Sequence, residues 1–369
     1  MEESEIDFEC LDAIAVTNRP GLPMSLLIGL RYAKYLARKY SKPIIPIHHM
    51  EAHALMSRME NKIEFPYLCL LVSGGHTQLV LVKDPENYTL LGGSIDDAAG
   101  EAFDKIARRL KLNLIPEFQD MSGGQAIETA AMQATDSDRF NFPLPLMRYR
   151  DCRFSFAGLK NNANRTIEKC EKEFDIKPDE IIPNYQDFCA GLLKIVTRHL
   201  SHRTQRAIEF CMDKKMIPCE NRSLVISGGV ACNNYIFESL QGMAENYMFK
   251  TYRPRKELCN DNGVMIAWNG VERMQFNKNS MTTDYDSVDI IGKCSWEKTL
   301  VKLLKMHNCN LNGWICWGFK SKITRLLKML LNLIPIDLMV ASIAAKCPLA
   351  YRMCGLFKER RFCQNTDYI

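Results

Sequence analysis

The chain has 369 residues, 47% of them apolar and 25% charged, with a formal charge of +5 at pH 7. That is material for two domains, or one large one with appendages, with buried cores, and it excludes a disordered or fibrous chain. Fifteen cysteines without regular spacing and with no CxxC exclude a disulfide scaffold, so the thiols are expected to be reduced and intracellular. The acidic opening Met1-Glu2-Glu3-Ser4-Glu5 is unlike a transit peptide.

Charge is unevenly spread. Trp296 to Ile369 holds 12 Lys and Arg against 4 Asp and Glu, a net +8, so the remainder nets −3. Leu326 to Ala345 is the most apolar segment, but Lys328, Asn332, Pro335 and Asp337 interrupt it, and it falls short of a membrane span. Leucines at 303, 304, 326, 327, 330 and 331 permit an amphipathic helix in this tail.

In chain order, Leu11 to Thr17 reads as a strand ended by a turn at Arg19-Pro20-Gly21. Ser25 to Tyr40 follows as an amphipathic helix, with Leu26, Leu30, Ala33 and Ala37 on its apolar side. A short strand, Pro43 to Ile47, leads to a second helix whose first turns carry the histidines and which continues through Ala52 to Met59. Alternating strand and helix argues an α/β fold. Tyr67 to Val72 is a buried strand turning through Ser73-Gly74-Gly75-His76 into Leu79 to Val82, a hairpin whose N–H groups can face an anion. A third strand follows Asn87 to Gly92, and Asp96 to Lys105 opens a helix with acids at its start. Helices are predicted over Ala126–Gln133, Tyr185–Asp213, Tyr235–Asn246 and Val264–Arg273, with a strand at Leu224–Ser227 ending in a second glycine turn. Residues 136 to 153 read as turn-rich and basic.

The stretch with most chemistry is His48-His49-Met50-Glu51-Ala52-His53. Residues four apart share a helix face, so His49 and His53 can point at one ion. Two imidazoles alone leave an ion short of ligands, and surface or core histidines are the plainer reading. Glu51 stands two residues after His49, not directly after it as a zinc-protease motif needs. The glycine turns read singly as ordinary turns. Asp261 reads as a helix N-cap, and the basic clusters read as solvated faces.

Taken together, HHMEAHAL (48–55), LLVSGGHTQL (70–79), SIDDAAGEAFDK (94–105), FSFAGLK (154–160), SGGVACN (227–233) and NDNGVMIAW (260–268) resemble, in this order, the tRNA adenosine threonylcarbamoyltransferase family, once labelled O-sialoglycoprotein endopeptidase. The resemblance runs from about Leu11 to Arg273. MSGGQ at Met121–Gln125 is similar to the animal mitochondrial branch. It implies an actin/sugar-kinase/Hsp70-like two-lobed fold with a nucleotide cleft. It also implies transfer of a threonylcarbamoyl group from threonylcarbamoyl-AMP to the exocyclic amine of the adenosine beside the tRNA anticodon, in the mitochondrion. The family's metal ligands fall on His49, His53 and Asp261, implying one divalent ion, zinc or iron. Its substrate contacts fall on Leu71, Val72, Ser73, Gly74, Gly75, Asp104, Gly124, Glu128, Cys232 and Asn233. No residue is assigned as catalytic, because the mixed anhydride is already activated. Candidate tRNA phosphate contacts are Arg31, Lys34, Arg38, Lys105, Arg108, Arg109 and the Arg148–Arg153 group.

The chain departs from the family pattern in three places. The opening Glu-Thr-Ser-Cys-Asp-Asp-Thr-type strand and loop is not matched, Arg19 replaces a turn glycine, and the sequence after about Ser280 diverges. The expected organisation is therefore a truncated first lobe over 1–115 with the histidines and phosphate hairpin, a second lobe over 116–280 with the adenylate turns, and a basic tail over 281–369. A catalytically inactive relative acting through protein contacts is the alternative. A homodimer is left open, and no transmembrane segment is expected.

Overall fold

The structure is a computed structural model that describes residues 7–294, Trp296 and 298–301. Phe8–Cys10 forms a 3-10 turn, and the fold below belongs to the unit Ala13–Cys309. The Leu-rich pattern predicted over 303–331 lies outside the described residues.

β1 (Ile14–Arg19) and β2 (Ile44–His48) pair in parallel as a two-stranded sheet, joined by α1 (Pro23–Lys39). Leu26, Leu30, Ala33 and Ala37 are the buried positions of α1, the stripe expected from its 3.6-residue period. α2 (His49–Leu55) follows β2 without a break.

The main sheet contains β3 (Tyr67–Val72), β4 (Thr77–Asp84), β5 (Asn87–Gly93), β6 (Ser223–Ser227), β7 (Lys250–Tyr252) and β8 (Lys298–Thr299). Its order is β7-β6-β3-β4-β5-β8. β3, β4 and β5 form an antiparallel meander, and β6 and β7 add in parallel on the far side of β3. A meander extended by parallel strands is the half-fold of the actin/sugar-kinase/Hsp70 class expected from the sequence.

β3 is apolar throughout because both of its faces are covered. Leu68, Leu70 and Val72 join one core, with side chains from α3 (Ala99–Arg109), α4 (Gly123–Met132), α5 (Ala157–Glu173), α6 (Tyr185–Asp213) and α7 (Asn234–Glu245). Tyr67, Cys69 and Leu71, pointing the other way, join Met50, Ala54 and Leu55 of α2 and Trp296. A third cluster seats α2 and Met265 of α9 (Gly263–Phe276) on Ile45 and Ile47 of β2. α8 (Lys256–Cys259) is a single turn just before α9.

β3 lies directly against β6 with Leu68 opposite Leu224, so the hairpin and the second glycine turn share one sheet. The two strands pair in parallel and every residue of both is buried. After Ser280, Thr282 bridges to Ile44, Gly292 O accepts from the Gly21 N–H, and β8 pairs with β5.

α5 and β7 are not visible in the residue pattern alone. α5 buries only Leu159, Ala163, Ile167 and Cys170, a stripe too narrow and small-sided to stand out in a polar segment. β7 is three residues long.

Candidate active site

His48 caps α2, its Nδ1 accepting from the Met50 N–H at 3.3 Å. One helical turn then sets His49 and His53 with their rings edge-on at 4.8 Å between centroids. The third group comes from a distant turn. Asn262, not Asp261, caps α9, its Oδ1 accepting from the Met265 N–H at 2.9 Å. That corrects the N-cap reading and leaves the Asp261 carboxylate to reach the histidines. Asp261 Oδ1 lies 2.9 Å from His53 Nε2 and 3.4 Å from His49 Nε2. His49 first and His53 second hold the Asp261 carboxyl well below the usual carboxylate range, outweighing desolvation.

One ligand atom from each residue falls within 4.8 Å of the other two. Donors on a tetrahedral ion with bonds of about 2.1 Å stand about 3.4 Å apart, so this donor set fits a divalent cation such as zinc or iron. The His53 side chain is 2% exposed and that of Asp261 75%, which makes one side of the cluster rigid and the other open. Glu51 is turned away: it is buried, with its Oε2 3.7 Å from Arg273 Nη1. A protease-like general base is therefore not in this cluster.

The β3–β4 turn sits beside it. Burial lowers the His76 imidazole pKa, and nearby His49 and His53 add to the effect while Asp261 opposes it. His76 belongs to the LLVSGGHTQL motif but not to the expected site; its position in a turn gave no clue that its imidazole would come within electrostatic reach of the other two. Ser73 closes the turn, its N–H donating to His76 O at 2.8 Å and its Oγ accepting from the His76 N–H at 3.1 Å. Ser73 N–H is thus engaged, and the amides left to face an anion are those of Gly74 and Gly75. Leu71 and Val72 are buried at the end of β3. Gly100, in the first turn of α3, would press an added Cβ to 2.8 Å from Gly74 Cα, so the helix start rests on the turn.

The second glycine turn abuts the first. Gly228 has φ +103°, and an added Cβ would fall 2.4 Å from Val72 O. Next to it, a Cβ on Gly229 would fall 2.8 Å from Asn260 Oδ1, which ties this turn to the Asp261 segment. The remaining expected contacts lie on or beside α3, α4 and α7, several of them tying these helices together. Asp104 Oδ1 accepts from the Gly123 N–H at 3.0 Å, beside Gly124. Glu128 Oε1 accepts from the Asn234 N–H at 2.8 Å, and Asn233 Oδ1 caps α7 through the Ile236 N–H at 2.9 Å. Cys232 Sγ lies 3.6 Å from Lys256 O. Its thiol is held below the ordinary value, first by a hydrogen bond with Cys259 and then by Arg253 and Lys256, against desolvation.

Several expected tRNA contacts are ion-paired within the fold. Arg38 meets Asp286 at 2.6 Å, Lys105 meets Glu101 at 2.7 Å, and Arg109 grips both oxygens of Glu171 at 2.7 and 2.6 Å. Arg153 meets Asp151 at 2.7 Å. Arg148 and Arg150 stay on the exposed surface.

Comparison with known proteins gives this geometry its class. Residues 1–268 match the family described as tRNA N6-adenosine threonylcarbamoyltransferase (TsaD). A probable mitochondrial tRNA N6-adenosine threonylcarbamoyltransferase of Drosophila melanogaster is 52% identical over 304 residues, 81% of this chain and 74% of that one. The mitochondrial tRNA N6-adenosine threonylcarbamoyltransferase of Homo sapiens is 46% identical over 267 residues, 72% of this chain and 64% of that one. Among solved structures, HypF of T. kodakarensis aligns with a TM-score of 0.48 at 13% identity, covering 74% of this chain and 42% of that one. The chain belongs to the tRNA N6-adenosine threonylcarbamoyltransferase family.

Proposed function

We propose that this chain transfers the threonylcarbamoyl group of threonylcarbamoyl-AMP to the exocyclic amine of the adenosine adjacent to the anticodon in mitochondrial tRNAs. The observation that carries the reading is the convergence of His49, His53 and Asp261 on one point beside two abutting glycine turns. Those three side chains would hold one divalent ion, zinc or iron, which supplies Lewis-acid polarisation of an acyl oxygen when bound.

The other groups suit the donor substrate. A carbamoyl-adenylate anhydride carries its own leaving group, so no nucleophilic side chain is required. Gly74 and Gly75 offer N–H groups to the adenylate phosphate, where a side chain would block approach. Asp104 and Glu128 each use one oxygen to fix a helix start and keep a second to accept from ribose hydroxyls. The buried α/β sheet beneath holds both turns in register, which positions donor and acceptor without further reorganisation.

The test is to incubate the chain with threonylcarbamoyl-AMP and mitochondrial tRNA and to analyse the nucleosides by mass spectrometry, alongside His53→Ala. Modified adenosine from the native chain, lost together with bound metal in His53→Ala, is the expected result. Transfer undiminished in the variant overturns the metal assignment, and absence of product from the native chain overturns the activity.

A further inference from the structure

The polar face of α6 is a group of buried titratable side chains that the proposed transfer does not use. His199, His202, Arg203 and Arg206 recur at helical spacing and all are buried. Both guanidiniums donate to main-chain carbonyls of a single loop. Arg203 Nη1 donates to Tyr149 O at 2.9 Å and Asp151 O at 2.7 Å, and its Nη2 donates to Leu146 O and, at 3.5 Å, to Pro145 O. Arg206 Nη1 donates to Arg150 O at 2.9 Å. Further along, His199 Nε2 accepts from the Ser155 N–H at 3.2 Å.

A surface loop ordinarily leaves its carbonyls to water. This one turns them inward onto the two arginines, and Leu146 is held at φ 51°, in the left-handed region that a β-carbon disfavours. The side chains are correspondingly displayed outward. Met147 is 61% and Tyr149 54% exposed, and Arg148 and Arg150 are exposed beside them. The one acid of the segment, Asp151, is buried and paired with Arg153. An outer face of two guanidiniums around a phenol ring, with no acid among them, matches the mixture of stacking surface and phosphate contacts that single-stranded nucleic acid takes.

The loop is also fixed to the site. Phe154 exchanges backbone hydrogen bonds with Gly93 and Ile95 at 3.1 and 3.0 Å, and Ser94 N–H donates to Thr77 O at 2.9 Å, next to the Ser73–His76 turn. It therefore stands at the end of the sheet that carries the glycine turns.

From this arrangement we propose that the 145–151 loop is a preformed RNA contact: Tyr149 stacks on an unpaired base of the tRNA, and Arg148 and Arg150 meet the flanking phosphates. This rests on the reading of the chain as a tRNA-modifying transferase. Its test is tRNA affinity measured by fluorescence anisotropy across a salt series, for the full chain and for Tyr149→Ala, Tyr149→Phe and the double variant Arg148→Ala with Arg150→Ala. Thermal unfolding of each variant checks the fold.

Tyr149→Ala is expected to weaken binding about tenfold, whereas Tyr149→Phe keeps it, since stacking needs the ring and not the hydroxyl. The double variant is expected to lower the slope of log affinity against log salt by about 1.4, two single-strand phosphate contacts. Equal loss in Tyr149→Phe and Tyr149→Ala overturns stacking. Wild-type affinity and slope in all variants overturn the loop assignment alone if the chain still modifies tRNA, and leave that face to a protein partner. Failure of the native chain either to bind or to modify tRNA overturns both this assignment and the transfer reading.

Discussion

Asp261 shows how one residue's role depends on its neighbour. Because Asn262 supplies the α9 cap, the carboxylate one residue earlier can turn to His49 and His53. Asp261→Asn keeps the shape but removes the charge, and the position is largely exposed, so stability is expected to stay within about 0.5 kcal/mol of the parent. Metal bound per chain, read by elemental mass spectrometry, is expected to fall by about a hundredfold in affinity, with transfer falling alongside. A variant that keeps its metal would remove Asp261 from the ligand set. The neighbouring Ser73 makes the complementary point: a residue expected to offer its N–H to phosphate instead closes the turn that presents Gly74 and Gly75.

At the scale of elements, the two glycine turns are seated by strand pairing. β3 and β6 run in parallel, so their ends emerge together, and Gly228 passes so close to Val72 O that a methyl group has no room. Gly228→Ala combines a left-handed conformation with that clash, and roughly 2 kcal/mol or more of stability is expected to be lost in denaturant unfolding. An unchanged midpoint would mean that the turn relaxes freely. α6 offers a different prediction. Burial, with help from Arg203, holds His199 at about 3, and burial with Arg203 and Arg206 does the same to His202. The unfolded chain takes up protons below about 6.5 that these folded histidines refuse, so their contribution is fully present above that pH and is lost as pH falls towards 3. Stability is expected to drop by on the order of 1 kcal/mol per histidine for each pH unit below about 6. Replacing both with Gln should flatten the profile of unfolding midpoint against pH; an unaltered profile would assign the acid sensitivity elsewhere.

For the molecule as a whole, the segment after Ser280 closes the fold. Trp296 lies 5.0 Å from the His48 ring and 5.1 Å from the Tyr88 ring, and its Nε1 donates to Gln78 Oε1 at 2.9 Å. It caps the core face of the sheet that also receives α2. Trp296→Ala empties that position, and a loss of about 3 kcal/mol is expected by chemical denaturation. A loss below about 1 kcal/mol would show that Trp296 merely rests on the surface of that core.

Much of this was legible in the residues. The apolar run Tyr67–Val72 and the long period of Tyr185–Asp213 define β3 and α6 with the same ends in sequence and structure, because both are set by local burial pattern and length. The helical spacing of His49 and His53 likewise specifies a shared face without any tertiary information. The third partner could not be found that way. Asp261 is separated from His53 by 208 positions, and only the packing of α9 against α2 and β2 closes that distance. The 145–151 loop is an intermediate case: its arginines read from the sequence as candidate phosphate contacts, but only the fold shows α6 holding its carbonyls from beneath. Local residue order determined which side chains could do chemistry; long-range strand pairing and helix packing decided which of them meet, because those contacts arise from burying apolar faces that are remote in sequence.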